Sequence, residues 1–253
     1  MPLVRNQVFH GLVLRSQDYL DNDQLLYVFT DRFGIITFWL RGVKKPRSKK
    51  HYLALPFTYG KYQGSINRRG FSFLNDALQV QQFEKIATDL RLNAYTSYIY
   101  DLVLRAFAAG EVQLLWFNKI MQATKLINQG LDAQIITNII EIQLLQPFGV
   151  QPNWHACVIG GETQGTFDYS LVKAGIICQK HWAEDEHRLH LAPKAVSYLR
   201  LFAQIDLQRI GQIKVSANIK AQLRQTIDAI YRDSVGVYPK SKKFLDQMDH
   251  WQI

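Results

Sequence analysis

Apolar and polar positions alternate in short runs over the first 80 residues of the chain. Alternation of this kind is typical of half-buried β-strands, and turn residues separate the runs, as between Asp31 and Gly34. The pattern predicts five strands, at 8–14, 24–30, 35–40, 56–62 and 70–74. Five short strands in so few residues indicate a small closed barrel, and the five-stranded OB-fold is the commonest barrel of this kind that binds nucleic acids.

Near residue 82 the apolar spacing changes to three and four residues, which is typical of amphipathic helices. Three successive helices are predicted, ending at Gly110, Gly130 and Pro147, and helical spacing returns at Pro193. The residues between, 150–192, are rich in glycine and contain both cysteines, which predicts a small irregular insert. We therefore expect an α+β chain with an OB-fold domain at 1–80 and a helical domain at 81–253 that carries the insert at 150–192.

Positive charge is concentrated in one early segment of the chain. The 253 residues include 30 Lys or Arg and 21 Asp or Glu, for a net charge of +9. The 44 residues between Asp31 and Asp76 contain ten basic residues and no acidic one, whereas the rest has 20 basic and 21 acidic residues. So concentrated a field predicts a polyanionic partner, because neutralising phosphates releases condensed counterions. The ten are Arg32, Arg41, Lys44, Lys45, Arg47, Lys49, Lys50, Lys61, Arg68 and Arg69.

Aromatic residues interleave with these cations, whereas a disordered basic arm would lack them. The combination indicates a basic β-sheet surface that follows a phosphate backbone while aromatic rings stack on bases. Trp39, Tyr52 and Tyr62 are candidates for stacking. The alternative, that most of these rings fill the core, stays open.

Motifs typical of enzymes are absent from the sequence. We find no G-x-x-x-x-G-K-[ST], no G-x-G-x-x-G, no G-x-S-x-G and no H-E-x-x-H. There is no apolar run of the length of a membrane span and no secretory signal pattern, and two cysteines make no disulfide framework. The sequence therefore predicts a cytoplasmic protein and favours a binding protein over an enzyme.

The two cysteines occupy part of a zinc-ribbon pattern. Cys157 begins Cys-Val-Ile-Gly and Cys178 begins Cys-Gln-Lys-His, so that each pair has kept only its first cysteine. Zinc needs four ligands. Cys157, Cys178 and His181 supply three candidates and His155 a fourth, but the interpretation we favour is a degenerate ribbon held by packing, with no metal and no cofactor.

A mixed group of acidic residues and histidines follows the second cysteine. It is either a metal site or, the interpretation we favour, a solvated loop. Its members are His181, Glu184, Asp185, Glu186, His187 and His190.

Several short motifs follow one another between residues 11 and 245. They are Gly11-Leu12-Val13-Leu14-Arg15 with Tyr19 and Asp21-Asn22-Asp23; Phe29-Thr30-Asp31-Arg32-Phe33-Gly34; Arg41-Gly42-Val43-Lys44-Lys45-Pro46-Arg47-Ser48; Gln143-Leu144-Leu145 with Phe148, Gly149 and Pro152; and Tyr238-Pro239-Lys240-Ser241-Lys242-Lys243-Phe244-Leu245. In this order they resemble the motifs of the RecO family of bacterial recombination mediators. Asp21 stands where the family usually has Glu.

The resemblance implies an N-terminal OB-fold, a helical domain with a zinc-ribbon-like insert, and no catalytic residues. It implies a DNA repair and recombination mediator, associated with the nucleoid, that binds single- and double-stranded DNA and anneals complementary strands without ATP. It also implies a RecR-type clamp protein and the C-terminal tail of the single-stranded DNA-binding protein as partners in loading the recombinase. Many family members have four ribbon cysteines, so zinc is not carried over to this chain.

With the resemblance, the predicted DNA-binding residues lie on the barrel. Lys240, Lys242 and Lys243 either extend that surface or form a solvated helix face. Two other functions stay open: a general RNA-binding OB-fold protein, and a metal-dependent nuclease or hydrolase that uses residues 181–190. The predicted DNA-binding residues are Arg15, Arg41, Lys44, Lys45, Arg47, Lys49, Lys50, Arg68 and Arg69.

Overall fold

The computed structural model describes residues 4–67 and 70–251, and its chain divides into two compact units. The first unit comprises Met1–Leu131 with Phe244–Ile253, and the second comprises Asp132–Lys243. The last helix, α7 as numbered below, spans Lys240–Trp251.

Five antiparallel strands form the sheet of the first unit. They are β1 (Val4–Tyr19), β2 (Asp23–Thr30), β3 (Gly34–Leu40), β4 (Thr58–Ile66) and β5 (Phe73–Gln82), in the spatial order β3-β2-β1-β4-β5. The sheet closes where Ser72 meets β3, because Ser72 N–H donates to Thr37 O at 3.0 Å and Trp39 N–H donates to Ser72 O at 2.9 Å. The α+β fold with an N-terminal five-stranded barrel is thus confirmed.

Each strand contributes a large side chain to the interior of the barrel. Phe9, Val28, Phe38, Tyr62 and Leu74 come from β1 to β5 in turn, and all are buried. The rings of Phe9 and Phe38 stack with centroids 5.6 Å apart. The alternation of the sequence arises from this inward-facing set.

Three strands extend by several residues beyond their predicted bounds. β4 was expected at 56–62 but covers Thr58–Ile66. β1 was expected at 8–14 but covers Val4–Tyr19, and its two halves pair with β4 and β2. β5 was expected at 70–74 but covers Phe73–Gln82. Several of its side chains are exposed on both faces, and register shifts interrupt its pairing with β4, so the alternation that marks a strand is weak there.

The turn between β2 and β3 requires glycine at position 34. Gly34 has φ +69°, and a Cβ built on it would overlap the Glu111 carbonyl oxygen. We expect Gly34→Ala to destabilise the protein by at least about 2 kcal/mol, since a left-handed alanine and a backbone clash both add cost. Thermal unfolding followed by circular dichroism measures the change.

Gly42→Ala is the matched control for this substitution. Gly42 also has a positive φ, +62°, but an added Cβ would meet only the Lys45 side chain, at 3.5 Å. Gly42→Ala should therefore destabilise the protein by only about 1 kcal/mol, the cost of the left-handed conformation alone. Equal losses of stability in the two variants would contradict the clash at Gly34.

Three helices follow the sheet in the first unit: α1 (Glu84–Thr88), α2 (Leu90–Ala106) and α3 (Leu114–Asn128). The end of α2 and α3 cover one end of the outer face of the sheet, where the Phe29 ring lies 6.2 Å from that of Phe107 and 5.7 Å from that of Phe117. The change from strand to helix therefore falls between Gln82 and Glu84, near the predicted position. The predicted division into domains at residue 80 stays a prediction.

The second unit contains α4 (Ala133–Leu144), α5 (Pro193–Gln204), α6 (Ala217–Ile230) and a hairpin of β6 (Phe167–Ser170) with β7 (Gly175–Cys178). Asp132 caps α4 by accepting from Ile135 N–H at 3.3 Å. The hairpin lies within the predicted insert at 150–192. Among residues 4–67 and 70–251 we find no helix that combines the length and hydropathy of a membrane span.

Candidate nucleic-acid interface

Six of the predicted cations lie in one loop after β3, at residues 41–50, which we call the basic loop. Val43 and, just beyond the loop, Leu53 are buried in the barrel core and fix its two ends. The six cations between and beside these anchors are all exposed, so a single short loop presents all of them to solvent. They are Arg41, Lys44, Lys45, Arg47, Lys49 and Lys50.

Hydrogen bonds give the basic loop a defined path. The Asp23 carboxylate accepts from Gly42 N–H at 2.7 Å and from the Trp39 indole N–H at 2.8 Å. The bond from Gly42 is the main cause that lowers the pKa of Asp23, so this carboxylate stays charged at neutral pH. Further turns run from Lys45 N–H to Gly42 O and from Ser48 N–H to Lys45 O. The cations are therefore carried on an ordered loop.

One cation of the loop has an acidic partner. Lys44 Nζ lies 2.6 Å from Asp18 Oδ2, and the two side chains are 39% and 65% exposed. The hydrogen bond from Lys44 is the main cause that lowers the pKa of Asp18. Pairs this exposed are weak, so Lys44 can exchange Asp18 for a phosphate at small cost. The other five cations of the loop make no ion pair with any described residue.

Four half-buried aromatic rings lie beside the start of the basic loop, and we call them the aromatic cluster: Tyr19, Trp39, Phe71 and Phe73. The Trp39 ring centroid is 5.7 Å from that of Tyr19 and 5.8 Å from that of Phe71. The guanidinium carbon of Arg41 stands 4.0 Å from the Trp39 centroid. This arrangement places a positive charge against ring faces that solvent reaches in part, as in sites that bind single strands.

The other two stacking candidates differ from Trp39. Tyr52 is exposed and donates its hydroxyl hydrogen to Asp76 at 2.7 Å. Tyr62 is fully buried in the barrel, so the prediction that it stacks on a base is wrong. Burial is also the main cause that raises the pKa of Tyr62, to about 12.

Arg15 lies on the same outer sheet face as Trp39. Arg15 pairs with Tyr27 in the β1–β2 register and Tyr27 with Thr37 in the β2–β3 register, while Leu25 pairs with Trp39 in the neighbouring row of that face. Arg15 is exposed, and its guanidinium carbon is 4.1 Å from the Tyr27 centroid. The structure thus brings it toward the aromatic cluster. Arg68 and Arg69, also predicted to bind, lie outside the described residues.

The lysines of α7 do not act as a group. Lys242 is buried, and its Nζ lies 2.8 Å from Asp228 Oδ1. Its prediction as a DNA contact or as part of a solvated face is therefore wrong. Lys240 and Lys243 are exposed. Sequence spacing alone does not distinguish these three lysines, because the carboxylate that pairs with Lys242 lies 14 residues away on another helix, α6.

The cysteine region gathers four possible metal ligands, one of which sequence reasoning missed. Ligand atoms of Cys157, Glu162, Cys178 and His181 all lie within 4.8 Å of one another. Glu162 takes the fourth place for which His155 was a candidate. Glu162 was missed because it lies outside the C-x-x-C frame, although it is only two residues beyond Gly160.

The two thiols of this region differ electrostatically. Burial alone raises the pKa of the Cys157 thiol, but backbone N–H groups of Gly160, Cys178 and Ile159 together outweigh it and lower the pKa to about 7. Burial is the main cause that raises the pKa of Cys178.

The mixed group at 181–190 does not assemble into a second site. Of its members, only His181 belongs to a possible metal cluster of the described residues. Asp185 is buried and structural, since it accepts from the Ser170 hydroxyl at 2.5 Å and from His187 N–H at 3.0 Å.

Comparisons with known proteins agree with the resemblance. The family model for the N-terminal part of recombination protein O matches residues 5–83, and that for its C-terminal part matches residues 87–243. A DNA repair protein RecO of Ligilactobacillus salivarius is 46% identical over 97% of this chain and 95% of its own length. Proteins of the same name from Latilactobacillus sakei and Enterococcus faecalis are 44% and 41% identical, over 96% of this chain and 90% and 92% of their own lengths.

Proposed function

Since the chain belongs to the RecO family, we propose that it acts in DNA repair as a recombination mediator that works by binding alone. It binds single- and double-stranded DNA, anneals complementary strands without ATP and helps to load the recombinase. The observation that carries this proposal is the exposed basic loop on an OB-fold barrel, with the aromatic cluster beside it.

The basic loop supports phosphate binding without sequence preference. Its six exposed cations can each approach a phosphate oxygen, and contacts to phosphates position a strand without reading its sequence. Arg15 extends the positive surface along the outer face of the sheet, and Arg68 and Arg69 are assigned to it from their sequence alone. Counterion release then makes the affinity steeply dependent on salt.

Annealing follows from the same surface without a chemical step. Two strands bound on one cationic surface repel each other less, and base pairing supplies the driving force. The proposal therefore includes no catalytic residue and no nucleotide cofactor, in keeping with the absence of such motifs from the sequence.

Two protein partners complete the proposal: a RecR-type clamp and the C-terminal tail of the single-stranded DNA-binding protein. The family resemblance supports both, and association with the nucleoid follows from DNA binding. Titrating a fluorescent peptide of that tail with the protein at low salt tests the second partner. A scrambled peptide is the control, and equal binding of the two peptides would contradict a specific groove.

An annealing assay tests the mediator function. Two complementary single strands, one of them dye-labelled, are mixed with the full chain in the absence of ATP over a series of salt concentrations. The proposal requires rapid duplex formation that slows as salt rises. Binding without annealing, together with a preference for RNA over DNA of the same sequence in competition, would instead indicate an RNA-binding protein.

The aromatic cluster gives a separate prediction for single strands. We expect Trp39→Ala to weaken single-stranded DNA binding by about 5–150-fold, the equivalent of about 1–3 kcal/mol for one stacked base. Binding to duplex DNA should change less, since paired bases are not free to stack. Fluorescence anisotropy with both DNA forms measures the two effects.

Two variants control for structural damage at Trp39. Trp39→Phe keeps a stacking face and should retain most of the affinity. Trp116→Ala removes another half-buried tryptophan of the same unit, on α3. Its ring centroid lies 5.5 Å from that of Phe107, which packs on Phe29 at the end of β2 opposite the basic loop. Stacking would be refuted if Trp39→Phe lost as much single-strand affinity as Trp39→Ala.

A further inference from the structure

The ligand cluster in the second unit is built from three separated parts of the chain. Cys157 begins a tight turn that is closed by Cys157 N–H to Glu162 O at 2.8 Å and Gly161 N–H to Cys157 O at 2.9 Å. Cys178 ends β7, and His181 follows three residues later in a 3-10 turn. Val158 N–H donates to Ile176 O at 2.9 Å and ties the turn to β7. The backbone thus holds all four side chains in place.

The separations match the edges of a coordination tetrahedron. With bonds of about 2.3 Å to sulfur and about 2.0–2.1 Å to nitrogen or oxygen, a zinc site has S···N edges of roughly 3.6 Å and N···O edges of roughly 3.4 Å. His181 Nδ1 lies 3.5 Å from Cys157 Sγ and 3.2 Å from Cys178 Sγ. It lies 3.8 Å from Glu162 Oε2.

Glu162 directs one oxygen at the cluster. Its Oε2 is buried and has no hydrogen-bond partner among the described residues, an unfavourable state for a carboxylate oxygen. Its Oε1 accepts from Lys180 Nζ at 3.5 Å, which orients the group from outside. The side chains of Glu162 and His181 are only 26% and 25% exposed.

Gly160 explains why the carboxylate occupies this place. A Cβ built on Gly160 would overlap Glu162 Oε2 and His181 Cε1. The space that the second residue of a C-x-x-C pair would use is therefore filled by the glutamate and the imidazole. Absence of a side chain at 160 allows them to enter.

From this geometry we propose that Cys157, Cys178, His181 and Glu162 bind one thiophilic divalent metal of the zinc class, with Glu162 as the fourth ligand. Two thiolates favour zinc over magnesium and calcium, which prefer all-oxygen sites. Four protein ligands close the coordination sphere, so the site is structural and leaves no position open for a substrate.

Metal content and cobalt spectroscopy test the proposal on the full chain, purified with a reductant and without chelators. Elemental analysis should find about one zinc per chain, and Co²⁺ added to the metal-free protein should give the intense visible bands of a tetrahedral thiolate site. A folded chain that holds no zinc and gives no such bands would overturn the proposal.

Single substitutions test the individual ligands. Glu162→Gln and His181→Ala should each weaken zinc binding, in competition with a chromogenic chelator, by more than the roughly 10–100-fold that losing an outer-shell partner costs. Glu186→Gln and His187→Ala are the matched controls, because both residues are exposed in the same insert and outside the cluster. Zinc affinity that is unchanged in Glu162→Gln would refute the role of Glu162.

A double substitution separates a ligand from a merely structural glutamate. Gly160→Cys supplies a third thiol where the carboxylate now lies, so the cobalt charge-transfer absorption should increase. In that background Glu162→Gln should no longer reduce zinc affinity. The same loss in both backgrounds would show that Glu162 acts through the fold and not at the metal.

Discussion

We expect a loss of DNA affinity of about 10²–10³-fold when five cations of the basic loop are replaced together by alanine. Each cation–phosphate contact that is lost leaves on the DNA the counterions that it would have displaced. The magnitude of the slope of log affinity against log salt concentration, measured on single-stranded DNA, should fall by up to about 3.5, which is about 0.7 for each of five contacts. Annealing should slow in parallel. The five are Lys44, Lys45, Arg47, Lys49 and Lys50, all exposed, so the fold should tolerate their loss.

A second variant with the same loss of charge makes this result specific to the loop. It replaces five exposed cations elsewhere, and it should keep most of the affinity and nearly the full salt slope. If both variants lost affinity equally, net charge rather than the basic loop would control binding. The five control positions are Lys85, Arg91, Lys125, Lys173 and Lys194.

The largest expected effect on stability is at Asp168, which is buried in the second unit. Its carboxylate accepts from the backbone N–H groups of Tyr169, His190 and Leu191 at 2.8–3.0 Å and pairs with Arg188 at 3.2 Å. Asp168→Ala should destabilise the unit by about 3–5 kcal/mol, because it leaves a cation and several buried donors without their acceptor. Chemical denaturation measures this loss.

Asp206→Ala is the control for Asp168. Asp206 is exposed and accepts from Gln208 N–H at 2.9 Å, so its loss should cost about 1 kcal/mol or less. Asp168→Asn keeps one acceptor oxygen, so its loss of stability should fall between those of Asp168→Ala and Asp206→Ala. A cost at Asp168 no greater than that at Asp206 would contradict the described network.

Elements that obey a repeating physical constraint are the ones that the sequence predicts best. Inward and outward alternation predicted β1 to β4, and helical spacing predicted that helices begin near residue 82. For β5, where alternation is weak, the predicted strand overlapped the observed one only at its start. The exposed cations of the basic loop were predictable for a related reason: lysine and arginine are rarely buried without a partner. Lys242, which is buried against Asp228, shows the limit of that rule.

The burial of Tyr62 was predictable from the pattern of its own strand. Burial alternates regularly along β4, and Lys61, the neighbour of Tyr62, is exposed, so Tyr62 faces the core. The register shifts opposite it lie in β5, where the alternation of the sequence is weak. Glu162 was missed because its place at the cluster follows from the fold of a turn and not from ligand spacing.

Closure of the barrel at Ser72 has a consequence for hydrogen exchange. The amides of Trp39 and Ser72 hold the seam between β3 and β5, and Trp39 also carries a ring of the aromatic cluster. Opening of the seam exposes both amides together, so their exchange rates report one local motion. A DNA strand bound across the aromatic cluster would bridge the seam and slow the exchange of both amides. The protection factors of the two amides then measure how much DNA stiffens the barrel.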